Sequence, residues 1–142
     1  MCIRDSSKYV EAYFSMANVL LNQYKYDKSI KYYKKTVLLS PNHTEAYFNM
    51  AVALKEKDKL DEAIEACNKV ISLQSDHAEA YNNLGAVLKE QGKHNESIKA
   101  CNMAISIKPD YAEAYNNLGA VFKEQGKLDN SIKAYNLSLI HI

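Results

Sequence analysis

The dipeptide Ala-Tyr recurs at Ala12-Tyr13, Ala46-Tyr47, Ala80-Tyr81 and Ala114-Tyr115, thirty-four residues apart each time. A fixed interval of that length marks a stacked-repeat architecture, in which one unit cannot bury its apolar face without a neighbour. The units run 10–43, 44–77, 78–111 and 112–136, the last of them incomplete. The third and fourth are near copies, "AEAYNNLGAVLKEQGK" at 78–93 and "AEAYNNLGAVFKEQGK" at 112–127.

Each unit reads as two helices. In the third, Ala80, Tyr81, Leu84, Val87 and Leu88 form one apolar stripe at helical spacing, and Ile98, Cys101, Ala104, Ile105 and Ile107 form another. Between them lies "EQGK", with Gly92 suited to a left-handed helix stop. Asn95 and Asp129 are candidate caps for the second helices. At the junctions "NHTE", "DHAE" and "DYAE", an Asx residue stands three positions before Glu45, Glu79 and Glu113, a variant of the capping box. Small residues recur in register: Ala51, Gly85 and Gly119 in first helices, Ala63, Ser97 and Ser131 in second ones, so paired helices can approach closely. The pattern predicts eight antiparallel helices near 8–22, 27–40, 44–57, 61–74, 78–91, 95–107, 112–125 and 129–139, with no strands.

The two ends depart from this phase. "MCIRDS" (1–6) and "LSLIHI" (137–142) read as translated sequencing adapter. The transposase mosaic end contains ATG TGT ATA AGA GAC AG, which translates to the first tract. Its reverse complement contains CTG TCT CTT ATA CAC ATC, which translates to the second. On that reading the native part is about Ser7 to Asn136 of something longer, and Met1 carries no information about compartment. The apolar "LSLIHI" can nevertheless continue the eighth helix.

Setting those tracts aside removes Arg4, the sole arginine, and leaves seventeen lysines against sixteen acidic residues. Such a balance gives no large electrostatic footprint for nucleic acid or an anionic membrane. No apolar run approaches the length of a membrane span. Cys67 and Cys101 stand one repeat apart in a column shared with Tyr33 and Tyr135, and read as buried small residues in a slot otherwise given to an aromatic ring. Read as unpaired thiols, they lean toward a cytoplasmic setting. His43 and His77 sit at junction turns, and no His or Cys pair has metal-ligand spacing. Neither a glycine-rich phosphate loop nor a nucleophile elbow is present. The expectation is therefore a protein that is not an enzyme, with no metal and no cofactor.

The units resemble tetratricopeptide repeats, whose pattern runs aromatic, Leu-Gly, a later Ala, an aromatic and a closing Pro. The third supplies Tyr81, Leu84-Gly85, Ser97, Cys101, Ala104 and Pro109, and the fourth Tyr115, Leu118-Gly119, Ser131 and Tyr135. Departures fall mainly in the first two units. Tyr24 and Asp58 replace the inter-helix Gly, Ser75 replaces the closing Pro, and Met16-Ala17 and Met50-Ala51 replace Leu-Gly, which suggests looser turns there. The resemblance implies an all-α, right-handed α-solenoid of antiparallel helix pairs whose first helices line a concave groove.

On those first helices, helical spacing turns one set of residues toward the groove. The third unit offers Glu79, Asn82, Asn83, Ala86, Lys89 and Glu90, and the fourth Glu113, Asn116, Asn117, Ala120, Lys123 and Glu124. The second offers Glu45, Phe48, Asn49, Val52, Lys55 and Glu56, while the first is an outlier with Glu11, Phe14, Ser15, Asn18, Leu21 and Asn22. Candidate peptide-binding residues are Asn49, Asn82, Asn83, Asn116, Asn117, Glu79, Glu113, Lys55, Lys89 and Lys123.

Adjacent asparagines inside a helix need a reason, because Asn costs roughly 0.5 kcal/mol or more relative to Ala there. A carboxamide offers an acceptor and two donors, enough to grip the backbone of an extended peptide. Helices packed about 8–10 Å apart and a strand rise of about 3.3 Å let one Asn per repeat meet every third ligand residue or so. The column Asn49, Asn83, Asn117 is similar to the asparagine ladder of O-linked N-acetylglucosamine transferase repeats. Ordinary repeat consensus is the other reading, with the carboxamides bonded to a neighbouring repeat or to water. The carboxylate clamp by which some such repeats hold chaperone tails is disfavoured, because the matching column is Glu11, Glu45, Glu79 and Glu113.

These features predict a non-catalytic scaffold that binds an extended peptide or partner protein. The alternative is a substrate-recruiting repeat region of a larger glycosyltransferase or sulfotransferase. A terminal repeat without a polar cap would also expose Tyr115, Leu118, Phe122, Ile132 and Tyr135, predicting self-association through that end.

Overall fold

The computed structural model describes residues 3–142, with side chains from Lys8 onward. Met1 and Cys2, at the head of the suspected adapter tract, lie outside the described residues. Those described form eight α-helices and no strand: α1 Ile3–Asn22, α2 Tyr26–Leu39, α3 Thr44–Glu56, α4 Leu60–Leu73, α5 Ala78–Glu90, α6 His94–Ile107, α7 Ala112–Glu124 and α8 Leu128–Ile140. From α2 to α8 every boundary falls within a residue of its expected place. Helix α8 runs on through the apolar tail, where the Ser138 hydroxyl donates to the Ala112 carbonyl at 2.9 Å.

Two compact units divide the chain, one ending at Leu73 and the other running from Gln74 to Ile142. The first holds α1–α4 and the second α5–α8. Within each, the helices pair as α1 with α2, α3 with α4, α5 with α6 and α7 with α8. In the second unit one core cluster gathers Ala78, Ala104, Tyr111 and Ala114, and another gathers Cys101, Leu118 and Ala134. Val87 and Val121 are fully buried, each such side chain contributing about 1.5–3 kcal/mol.

The recurrent small residues let the paired helices touch. Ser97 donates to the Gly85 carbonyl at 2.6 Å, and Ser131 to the Gly119 carbonyl at 2.9 Å. A Cβ on Gly85 would meet Cys101 Sγ at 2.7 Å, and one on Gly119 the Tyr135 ring at 2.9 Å. In the second unit Cys101 and Tyr135 therefore seat directly on Gly85 and Gly119.

Three local expectations are corrected. The turns after α1 and α3 are not looser than the glycine turns. Tyr24 (φ 62°) and Asp58 (φ 60°) take the same left-handed conformation as Gly92 and Gly126. The amides of Lys25, Lys59 and Lys93 all reach back to the equivalent carbonyls, Leu20, Leu54 and Leu88, at 2.9 Å. The junction caps are also not the Asx residues. His43 and His77 are the N-caps, their Nδ1 atoms accepting from the Ala46 and Ala80 amides at 3.1 Å. Finally, Asn95 and Asp129 do not cap α6 and α8. The N-cap positions are Lys93 and Lys127, without a side-chain cap bond, because each helix starts a residue or more earlier.

Candidate functional site

The candidate residues lie on the first helix of each pair, α3 in the first unit and α5 and α7 in the second. Their charged members follow helix polarity. Glu45, Glu79 and Glu113 occupy first turns, and Lys55, Lys89 and Lys123 occupy last turns, where each charge opposes the helix dipole. Lys55 and Lys89 are half-buried, whereas Lys123, Glu79 and Glu113 are exposed. Glu79 lies 3.5 Å from His77 Nδ1, and the neighbouring Glu124 lies 3.1 Å from His94 Nε2.

The asparagines are individually distinct. In the first unit, half-buried Asn49 donates its Nδ2 to Asn18 Oδ1 at 3.1 Å. The same oxygen accepts the Tyr33 hydroxyl at 2.6 Å. Burial raises the Tyr33 phenol to about 12, so it stays protonated and able to donate. In the second unit Asn117 donates Nδ2 to Asn82 Oδ1 at 2.8 Å, and Asn82 donates its own Nδ2 to Glu113 Oε2 at 3.4 Å. Tyr111 stands beside this chain, its phenol raised to about 12 by burial and then by the Glu113 and Glu79 carboxylates.

Asn82 is thus not an open groove residue. It is 4 % exposed and spans two helices, while its repeat equivalent Asn116 is exposed. Ala86 is likewise buried. Asn83 is half-buried, and its carboxamide makes no hydrogen bond among the described residues. Sequence reasoning placed Asn18 on this face but missed its bond to Tyr33. The available signal was an asparagine in a column otherwise occupied by Val52, Ala86 and Ala120.

Around this face, the described residues contain no group of three His, Cys, Asp or Glu side chains that could hold a metal ion. Among the described residues no helix is long and apolar enough to cross a membrane. Cys67 and Cys101 are both free and buried. Burial raises their thiols to about 12 and about 11, against the activation a nucleophile requires.

The comparisons agree on one repeat type. A TPR-repeat family profile matches residues 53–92 and 87–126, and further tetratricopeptide profiles match 10–43 and 32–65. Among curated proteins, none matches the sequence. A crystal structure of MamA superposes with a TM-score of 0.88 at 30% identity, covering 93% of this chain and 77% of that one. MamA from Desulfovibrio magneticus RS-1 gives 0.88 at 19% identity, over 93% of this chain and 75% of that one, a likeness of fold. The first TPR of Spaghetti (RPAP3), bound to the HSP90 peptide SRMEEVD, gives 0.80 at 25% identity and covers 84% of this chain and 95% of that one. With the repeat interval, the paired helices and the seated small-residue columns, these matches establish that the chain belongs to the tetratricopeptide repeat family.

Proposed function

We propose that this chain is a non-catalytic interaction scaffold whose first helices hold an extended peptide or a partner segment by its backbone. The observation that carries the reading is Asn83: a half-buried carboxamide on α5 with no hydrogen bond among the described residues. It sits at a position where Asn lowers helix stability, and Asn49 and Asn117 share its column. The peptide held by the Spaghetti neighbour supports the class of ligand. The acidic first-turn row, Glu45, Glu79 and Glu113, disfavours the carboxylate-terminated mode and favours neutral or basic segments.

Asn83→Ala is the discriminating variant, because no hydrogen bond among the described residues depends on that side chain. Peptides selected from a displayed random library on the unaltered chain are expected to bind it several-fold more weakly, while thermal stability holds or rises slightly. Unchanged peptide affinity would reject the reading.

Self-association through the last helix pair belongs to the same proposal, on an altered surface. Leu118 is buried against Cys101 and Ala134, and Tyr115, Phe122 and Tyr135 are half-buried. Of the expected residues Ile132 therefore carries most of the open apolar area, joined by Leu128, Leu139 and Ile140, all four more than half exposed. Sedimentation velocity across a concentration series is expected to show reversible association. A strict monomer throughout would contradict it.

A further inference from the structure

The hydrogen bonds behind the asparagine column have a direction. A carboxylate accepts and cannot donate, so Glu113 Oε2 obliges Asn82 to present Nδ2 toward it. Asn82 must then present Oδ1 on its other side, where Asn117 answers with Nδ2 at 2.8 Å. The relay consumes one of the two Nδ2 hydrogens of Asn117 and fixes the amide's orientation, leaving its Oδ1 and the second hydrogen unengaged. The first unit reaches the same end with different residues: Asn18 Oδ1, accepting from buried Tyr33, takes the Nδ2 of Asn49. Asn49 and Asn117 therefore each give a donor back to the preceding repeat and keep the carbonyl, whereas Asn83 makes no such bond among the described residues.

We propose that Glu113 and Asn82 are positioning residues that orient Asn117 to accept a hydrogen bond from a backbone N–H of an extended peptide. This rests on the peptide-binding reading above and adds a direction to it. Held in this way, Asn117 places its Oδ1 where a ligand amide N–H can meet it. Asn82 suits the task because it is almost fully buried and bonded on both sides, which locks its rotamer. A freely rotating carboxamide would accept from an amide N–H or donate to a carbonyl with little preference.

The test uses the full chain and a peptide selected from a displayed random dodecapeptide library, resynthesised as a series in which each backbone amide in turn becomes an ester. An ester removes one N–H donor and retains a carbonyl. For the unaltered chain, one ester in the series is expected to weaken binding about tenfold, the size of one lost interfacial hydrogen bond. Asn117→Ala should abolish that sensitivity. Glu113→Gln, exposed and able to donate, frees Asn82 to turn over and should flatten the same position to about twofold, with the circular dichroism melt unchanged. Asn82→Ala should flatten it as well, and serves as the second variant. A purely structural role for Glu113 or Asn82 would weaken amide and ester peptides alike and leave their ratio untouched. That outcome overturns the proposal. A flat ester series on the unaltered chain, together with lost binding on Asn117→Ala, overturns the direction but leaves the groove reading standing. Binding that is indifferent to both Asn83→Ala and Asn117→Ala overturns both.

Discussion

Cys101 Sγ fills the space over Gly85, so closely that a Cβ on that glycine would meet the sulfur at 2.7 Å. Both residues are buried, and Ser97 ties the Gly85 carbonyl to the same helix at 2.6 Å, leaving little room to shift. Gly85→Ala would gain about 0.8–1.0 kcal/mol of helix propensity but incur about 1–3 kcal/mol of overpacking. A net loss of about 1 kcal/mol is expected in urea denaturation. In a Cys101→Ala background the obstruction is gone, and Gly85→Ala should become stabilising. Additive effects of the two substitutions would show that the contact is not what holds Gly85 in place.

Tyr24 and Asp58 hold the left-handed turn that Gly92 and Gly126 hold in the second unit. A residue with a Cβ costs about 1–2 kcal/mol in that conformation, less for Asp and Asn. Tyr24→Gly should raise stability by about 1 kcal/mol, and Asp58→Gly by less. Tyr24 is 77% exposed, so little packing is forfeited. A lowered melting temperature for Tyr24→Gly would mean that its ring packing outweighs the backbone strain.

The histidine caps offer a separate check. His43→Ala and His77→Ala each remove an acceptor for a first-turn amide, and each should cost about 1 kcal/mol. Asn in place of either histidine restores a cap oxygen and should recover most of the loss. Failure of Asn to rescue His43 would assign the effect to its ring contact with Phe14, whose centroid lies 4.5 Å away.

Alkaline titration should expose the buried thiols. Cys67 and Cys101 are raised from 9.0 to about 12 and about 11 by burial. Below the unfolded value both states are protonated, and the thiols leave stability unchanged. As pH rises above about 9, the unfolded chain loses these protons first, and stability falls until the native thiols ionise. The slope is about 1.4 kcal/mol per pH unit for each thiol within that window. Urea midpoints at about pH 8 and pH 10.5 should separate clearly, and a Cys67→Ser, Cys101→Ser double variant should reduce the separation. An equal fall in the double variant would place the alkaline sensitivity in Tyr33 and Tyr111, also raised by burial.

From residues alone came the repeat interval, the helix pairs and the columns of small and large side chains, because helical burial imprints its period on the sequence wherever one face is covered. The near identity of 78–93 and 112–127 shows where that reasoning stops. Asn82 and Asn116 occupy the same place in the same local sequence, yet Asn82 is buried between Glu113 and Asn117 while Asn116 is exposed. A hydrogen bond between repeats depends on the partner that the next helix brings alongside, which local spacing does not encode. For the same reason, tertiary structure decided which end of each carboxamide is engaged. The choice of His43 and His77 as caps was settled by backbone geometry at the junctions. At Tyr24 and Asp58, the helix pair on either side sets the turn, and the residue there adopts a left-handed conformation that its own preference opposes.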